Sequence, residues 1–200
     1  TNYGKGFIAD HRIVNSIVYT SAFTPPTAPL TAITNTSLLT CNDAPDIYDT
    51  SGTNRVRLFG NTTNTTGTEN KYGSSVDFDG SGDYVQFFMP DGENFQDLDD
   101  FSFEVWCHLD ANNLTYPYPL VLRDSTNTGG PRIMIRFGDS GFGYHLQVEI
   151  NGTGSSNVWN VNLTQSNFTG QIKHIAVSRK NGYTGIWVNG TRYNVATGVD

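Results

Sequence analysis

A chain of 200 residues suits one large β-sandwich or barrel, and its composition leans that way: charged residues are 16%, aromatic residues 12%, and Glu occurs only four times, so helix formers are scarce. The net charge of −7, with twelve scattered Lys and Arg, excludes a nucleic-acid surface, which needs clustered cations to displace phosphate counterions. No stretch approaches the roughly 20 apolar residues of a membrane-spanning helix, so membrane insertion is not expected; opening on Thr1 without a charged and apolar leader, the chain reads as processed or as a fragment.

In chain order, the first punctuation is Phe23 to Pro29 (FTPPTAP), whose three prolines remove ladder donors and favour an extended, semi-rigid course. It reads as a spacer. Asn61 to Asn70 (NTTNTTGTEN) is polar and without periodicity, and reads as a long loop. From residue 101 the period-two signal is plain: Phe101, Phe103, Val105, Cys107 and Leu109 share one face of a strand, and Ser102, Glu104, Trp106 and His108 the other. Ile133, Ile135 and Phe137 alternate with Arg132, Met134 and Arg136, and Leu146, Val148 and Ile150 with His145, Gln147 and Glu149. These predict half-buried strands. Asn151-Gly152, Asn181-Gly182 and Asn189-Gly190 stand where hairpins turn, because both residue types tolerate positive φ. No segment carries a helical apolar repeat, so short strands between turn signals predict an antiparallel sandwich.

Cys41 and Cys107 lie in segments that read as strands; two buried reduced thiols are favoured over a single bridge. Eight Asn-x-Ser/Thr triplets, beginning at Asn35, Asn61, Asn64, Asn113, Asn151, Asn162, Asn167 and Asn189, are taken as a consequence of the Asn, Ser and Thr content rather than as glycan acceptors. In SVDFDGSGDYV, Asp77, Asp79, Ser81, Gly82 and Asp83 have the spacing of the first half of an EF-hand loop, but Phe88 stands where the bidentate Glu belongs. A tight Gly turn is the favoured reading.

The opening run GKGFIADHRIVNSIVYTSAFTPPTAPLTAITNTSLLTC resembles the closing strand and linker of laminin-G-like, concanavalin A type domains in tandem-repeat virion proteins of tailed, often marine, bacteriophages. SLLTC, SVDFDGSGDYV, DFSFEVW, IKHIAVSR and GIWVNG follow in the order a fresh domain of that family would have them; Ile172 replaces a Trp common before His174. The resemblance implies an all-β, two-sheet antiparallel jelly-roll sandwich at residues 37 to 200, preceded at 1 to 36 by a closing strand and Pro-rich linker. It places Val76, Phe78, Val85 and Phe87 towards the core, with Phe103, Val105, Ile135, Val148, Val177 and Val188. It also implies a virion surface, or alternatively a bacterial cell surface, with neighbouring virion subunits or a homo-oligomer, and host-surface glycan, as partners.

Glucanases of the superfamily hydrolyse glycosides with two close carboxylates on one strand. Here Glu104 is followed by Trp106 where the second acid belongs, and Asp110, six residues on at about 3.3 Å each, is too far for the roughly 5 Å pair of a retaining enzyme. There is no G-x-S-x-G elbow. The expectation is therefore no enzyme and no required cofactor. Glycan contact is more plausible, because sugars stack C–H faces on aromatic rings while short polar groups hold their hydroxyls. Tyr116 and Tyr118 in ANNLTYPYPL, Tyr144 in GFGYH, and Trp159 in SSNVWNVN are the candidate glycan contacts. Trp159 also alternates with Val161 and Leu163, which reads as core, and the two tyrosines of the loop could serve only to cover a sheet edge. Asp124 and Asp139 are the candidate calcium ligands, with Asx turns as the safer reading.

In relatives, the strand resembling GFIADHRIV lies antiparallel beside the one resembling SVDFDG. An uncovered strand would leave a row of backbone groups unpaired, so residues 6 to 14 are expected either to fold back onto residues 74 to 79 of the same chain or to insert into the next subunit. Insertion is the favoured route, because it would turn the module into an oligomer or filament without new surface.

Overall fold

The structure, a computed structural model, describes residues 5–41, 49, 51, 55–65, 75–87, 100–111, 114–115, 117–123, 132–138, 140–151 and 156–196. Among these the strands are β1 (Lys5–Val14), β2 (Thr36–Thr40), β3 (Val56–Phe59), β4 (Thr63–Thr65), β5 (Ser75–Asp79), β6 (Tyr84–Phe87), β7 (Phe101–Leu109), β8 (Leu120–Arg123), β9 (Arg132–Phe137), β10 (His145–Asn151), β11 (Ser156–Thr164), β12 (Lys173–Lys180), β13 (Tyr183–Val188) and β14 (Thr191–Ala196). Single 3-10 turns stand at Ser140–Phe142 and Gln165–Asn167.

An eight-stranded sheet runs β14-β13-β12-β7-β1-β5-β4, with β2 pairing the far end of β1; a four-stranded sheet runs β11-β10-β9-β8; β3 and β6 form a separate ribbon. The named strands pair antiparallel throughout, as a jelly-roll sandwich requires. The core lies between the two larger sheets. Phe101, Phe103, Val105, Cys107 and Leu109 of β7 meet Ile133, Ile135 and Phe137 of β9 and Leu146, Val148 and Ile150 of β10, with Ile175, Val177, Ile186 and Val188 extending the layer. Each such side chain contributes about 1.5–3 kcal/mol by leaving water. Of the expected core set, Phe87 packs at the margin, while Phe78 and Val85 are only half-buried. Phe78 faces Gly6 near the end of its strand, and Val85 pairs with Leu58 in the ribbon outside the main sandwich.

Of residues 1–36, read from sequence as a closing strand and Pro-rich linker preceding the domain at 37–200, the described residues 5–36 supply the larger sheet with an interior strand. β1 pairs β7 along one edge (Gly6↔Leu109 to Val14↔Ser102) and, along the other, β5 (Lys5↔Asp79 to Ile8↔Val76) and then β2 (His11↔Thr40 to Val14↔Thr36). The segment thus takes the fold-back route within its own chain, onto β5 as expected and also onto β7 and β2. Midway, the register slips between Ala9 and Arg12, so Asp10 and His11 stand against the single Val105. This bulge carries Asp10 at φ 49, and the Asp10 amide donates to the Cys41 carbonyl at 2.8 Å. Its consequence is that Arg12 faces the same way as Glu104, its Cα partner.

Sequence periodicity predicted β7 to be half-buried. All nine of its residues are buried. The reason is residues 15–35, which do not act as a free spacer but lie as a strap over the outer face of the larger sheet. The Val18 amide donates to Ser102 Oγ at 2.9 Å, the Leu30 amide to Asp10 Oδ1 at 3.2 Å, and the Phe23 amide to the Gly190 carbonyl at 3.2 Å. Tyr19 and Phe23 stack with centroids 3.8 Å apart, and Phe23 meets the His174 ring edge-on at 5.8 Å. Trp187 lies 6.2 Å from Tyr19 and 6.4 Å from Phe23, and its other neighbour is the Arg192 guanidinium at 5.6 Å.

Candidate functional site

At one rim of the sandwich, the fully buried Gln165 draws three loops together. Its side chain accepts from the Leu114 amide at 2.9 Å and donates to the carbonyls of Leu114 at 2.8 Å and Gly138 at 3.1 Å; its own amide donates to the Tyr144 carbonyl at 3.0 Å. The Phe137 amide donates to the Pro117 carbonyl at 3.0 Å, which fixes the Tyr118 loop beside the end of β9. Tyr118 and Tyr144, both half-buried, are thereby brought to the same rim. Beside Gln165, Ser166 and Asn167 are exposed; Asn167 Oδ1 accepts from the Thr164 amide at 2.9 Å, and the Thr164 and Ser166 hydroxyls lie 2.8 Å apart. This rim combines phenol rings with short hydroxyl and amide groups. Tyr144 holds φ 56, a left-handed value uncommon outside glycine and asparagine. Trp159 is elsewhere: its Cα partner in β10 is the core residue Val148. Tyr116, Asp124 and Asp139 lie outside the described residues.

The carboxylates of SVDFDGSGDYV serve the backbone. Asp83, buried, accepts from the Asn61 amide at 2.8 Å and the Asp79 amide at 2.9 Å, while Asp79 accepts from the Ser81 amide at 2.7 Å. Gly80 and Gly82 hold φ 84 and 85, the values of a tight turn. Burial raises the pKa of Asp77, helped by the charges of Asp110, Asp83 and Asp79. Among the described residues no group of three or more His, Cys, Asp and Glu side chains is disposed to hold a metal ion.

The densest chemistry lies under the strap. Glu104, 2% exposed, is gripped by three side chains. Arg12 Nε donates to Oε1 at 2.6 Å and its Nη2 pairs with the same oxygen; the Tyr19 hydroxyl donates to Oε2 at 2.5 Å; His174 Nε2 stands 3.1 Å from Oε2. Burial alone would raise the Glu104 pKa. The His174 hydrogen bond, the Arg12 charge and the Tyr19 hydrogen bond outweigh it and hold the group below its ordinary value. An ionised carboxylate only accepts, so the ring proton of His174 sits on Nε2. Nearby Asp10 is pushed up to about 7, chiefly by burial, with the Leu30 amide opposing and the Glu104 charge adding. Burial pushes His11 down to about 4, and Cys41 and Cys107, both free, up to about 12, which leaves these thiols unreactive at neutral pH. The sequence search sought a second carboxylate on the strand of Glu104. The structure brings one instead from β1, but both Glu104 oxygens are occupied by protein groups, an arrangement that anchors rather than transfers protons.

A family model described as the concanavalin A-like lectin/glucanases superfamily matches residues 79–200. The chain belongs to that superfamily. No curated protein and no solved structure gave a match. Laminin-G-like members of the superfamily are mostly non-enzymatic. The matched stretch holds Glu104, His174, Gln165 and the rim loops, whereas Arg12 and Tyr19, which close on Glu104, stand before it. Sequence reasoning missed Arg12, Tyr19 and Gln165 as organising residues. The usable signal for Arg12 was a guanidinium flanked by Ile13 and Val14 in a segment that reads as a strand, since a charge buried there demands an anion.

Proposed function

We propose that this superfamily member is a non-enzymatic structural and adhesive module of a virion, as part of a fibre, tail or capsid decoration, contacting host-surface glycans through the rim organised by Gln165, and neighbouring subunits through its flanks. The observation that carries the reading is that one buried glutamine bonds the Leu114, Gly138 and Tyr144 backbones, with the Tyr118 loop held alongside by the Pro117–Phe137 bond and Ser166 and Asn167 next to it in the chain. Phenol faces suit sugar C–H surfaces, and hydroxyl and amide groups suit sugar hydroxyls. The absence of turnover is supported by the fully occupied Glu104. Glycan-array binding at near-physiological salt, repeated with Tyr118→Ala and Tyr144→Ala, tests it: binding lost in both variants supports the rim, and binding unchanged in both removes it. Hydrolysis of β-glucan, alginate or host polysaccharide that vanishes with Glu104→Gln would overturn the non-enzymatic part. Asp124 and Asp139 remain the candidate calcium ligands, and a chelator-induced loss of thermal stability would add calcium to the module.

The second reading is a purely structural repeat spacer that binds no sugar, with a bacterial cell-surface adhesin module as the other alternative. The spacer is favoured by the strap, which commits the middle of one sheet face to internal packing. A module that binds no glycan on the array yet keeps full stability would take this reading.

A further inference from the structure

The body of the sandwich treats residues 5–31 as a ligand. Four features of the body receive the segment: the Glu104 carboxylate; the Ser102 hydroxyl, itself 2.8 Å from Ser178 Oγ; the Trp187 indole with the His174 ring; and Gly190, whose missing Cβ admits the Phe23 carbonyl. The segment presents matching groups in one extended run: Arg12, then Tyr19 seven residues on, then Phe23 four residues further. Arg12 and Tyr19 come from different elements, the strand and the strap, yet close on the two oxygens of one carboxylate. A one-residue slip of β1 would turn Arg12 into the apolar core and leave Glu104 buried without its cation, a heavy penalty for any wrong register.

We propose that Glu104 is the recognition residue of a strand-and-strap docking site, and that the body accepts this segment from a second copy of the chain as well as from its own terminus. The partner chemistry is an extended segment bearing a guanidinium and, seven residues later, a phenol. Residues 31–35 are exposed and form the covalent passage from the segment to β2, so severing the chain there leaves the docked surfaces whole.

The test places a protease site between Ala32 and Ile33 of the full chain. The cut chain is unfolded in denaturant and refolded with isotopically heavy copies, and complexes are counted by native mass spectrometry. The expected result is rebinding with statistical mixing of heavy and light segments. In competition between equal amounts of wild-type and Tyr19→Phe segments, the wild-type body takes the wild-type segment by about tenfold or more, because a hydrogen bond to a charged group is lost. An Arg12→Lys segment is also disfavoured, since lysine cannot reproduce the planar fork. A Glu104→Gln body discriminates less strongly between the wild-type and Tyr19→Phe segments. The segment-side variants leave the body unaltered, so the competition is decided even where Glu104→Gln does not refold. Failure of the severed segment to rebind, or equal uptake of wild-type, Tyr19→Phe and Arg12→Lys segments, overturns the proposal.

Discussion

The backbone carbonyl oxygen of Phe23 lies 1.7 Å from where a Cβ on Gly190 would stand, and the Phe23 amide donates to the Gly190 carbonyl at 3.2 Å. The residue that turns the β13–β14 hairpin at φ 76 is therefore also the floor on which the strap rests. Gly190→Ala must strain the turn and lift the strap together, at an expected cost of about 1–3 kcal/mol. Limited proteolysis should then cut within residues 20–29 of the variant faster than in wild type. Wild-type resistance in the variant would mean that the strap does not depend on this contact.

Removing one partner of the buried pair is predicted to be worse than removing both. Arg12→Met leaves the Glu104 charge buried, for a loss of about 3–5 kcal/mol in denaturant unfolding, whereas Arg12→Met with Glu104→Gln should recover part of it. Because the folded-state pKa of Glu104 is depressed, its contribution is present above the ordinary glutamate range and is lost as pH falls through the folded value. A double variant no more stable than Arg12→Met would contradict this.

Asp10 and His11 pull stability in opposite directions with pH. Asp10, near 7 folded against 3.8 unperturbed, gives stability that is full below about 3.8 and is lost as pH rises to about 7. His11, near 4 folded against 6.5, gives stability that is full above about 6.5 and is lost as pH falls towards 4. The groups facing them are the Leu30 amide, Arg12, Glu104, Cys41 and the Phe87 ring. Between about pH 4 and 6.5 the two slopes oppose each other. Asp10→Asn should unmask the histidine, so that unfolding free energy rises with pH across that window more steeply than in wild type. Parallel pH profiles for variant and wild type would refute the assignment.

Gln165→Leu is isosteric enough to fill its place, but it strips partners from the Leu114 amide and the Leu114 and Gly138 carbonyls. The expected loss is about 1–3 kcal/mol for each buried group left unmatched, with the rim loops loosened. Hydrogen exchange at the Leu114 amide and at the residue 165 amide, which donates to the Tyr144 carbonyl, should accelerate while β7 and β12 remain protected. If glycan binding is confirmed, this variant should weaken it without altering either tyrosine.

The sandwich was legible because its signals are local. Period two in 101–109 marked the core face of β7, and Asn181-Gly182 and Asn189-Gly190 marked real hairpins, with φ of 48 and 81, then 49 and 76. The outer face was not legible. Ser102, Glu104 and His108 look like a solvated row, and what covers them comes from far along the chain: Arg12, Val18 and Tyr19 with His174 and Ser178 over the first two, and Phe7 beside the third. The prolines of 23–29 argued correctly against a strand, but composition does not tell a free linker from one pinned at intervals by single hydrogen bonds. At the rim, Tyr118 and Tyr144 were singled out as candidates from residue type; Gln165 was not, because a glutamine in a polar loop carries no periodic signature.

The position of β1 also dictates an order of events during synthesis. This strand is synthesised before its neighbour β7, which is complete only when residue 109 has emerged, several seconds to tens of seconds later at about 5–20 residues per second. While β2 and β5 emerge in time to cover one edge of β1, the edge that meets β7 stays open throughout that interval beside the apolar pairs Phe7-Ile8 and Ile13-Val14. Asp10, His11 and Arg12 stand between them as gatekeepers, interrupting the run that would otherwise recruit another nascent chain. The charges that later lock the finished sheet thus first guard the chain against premature assembly.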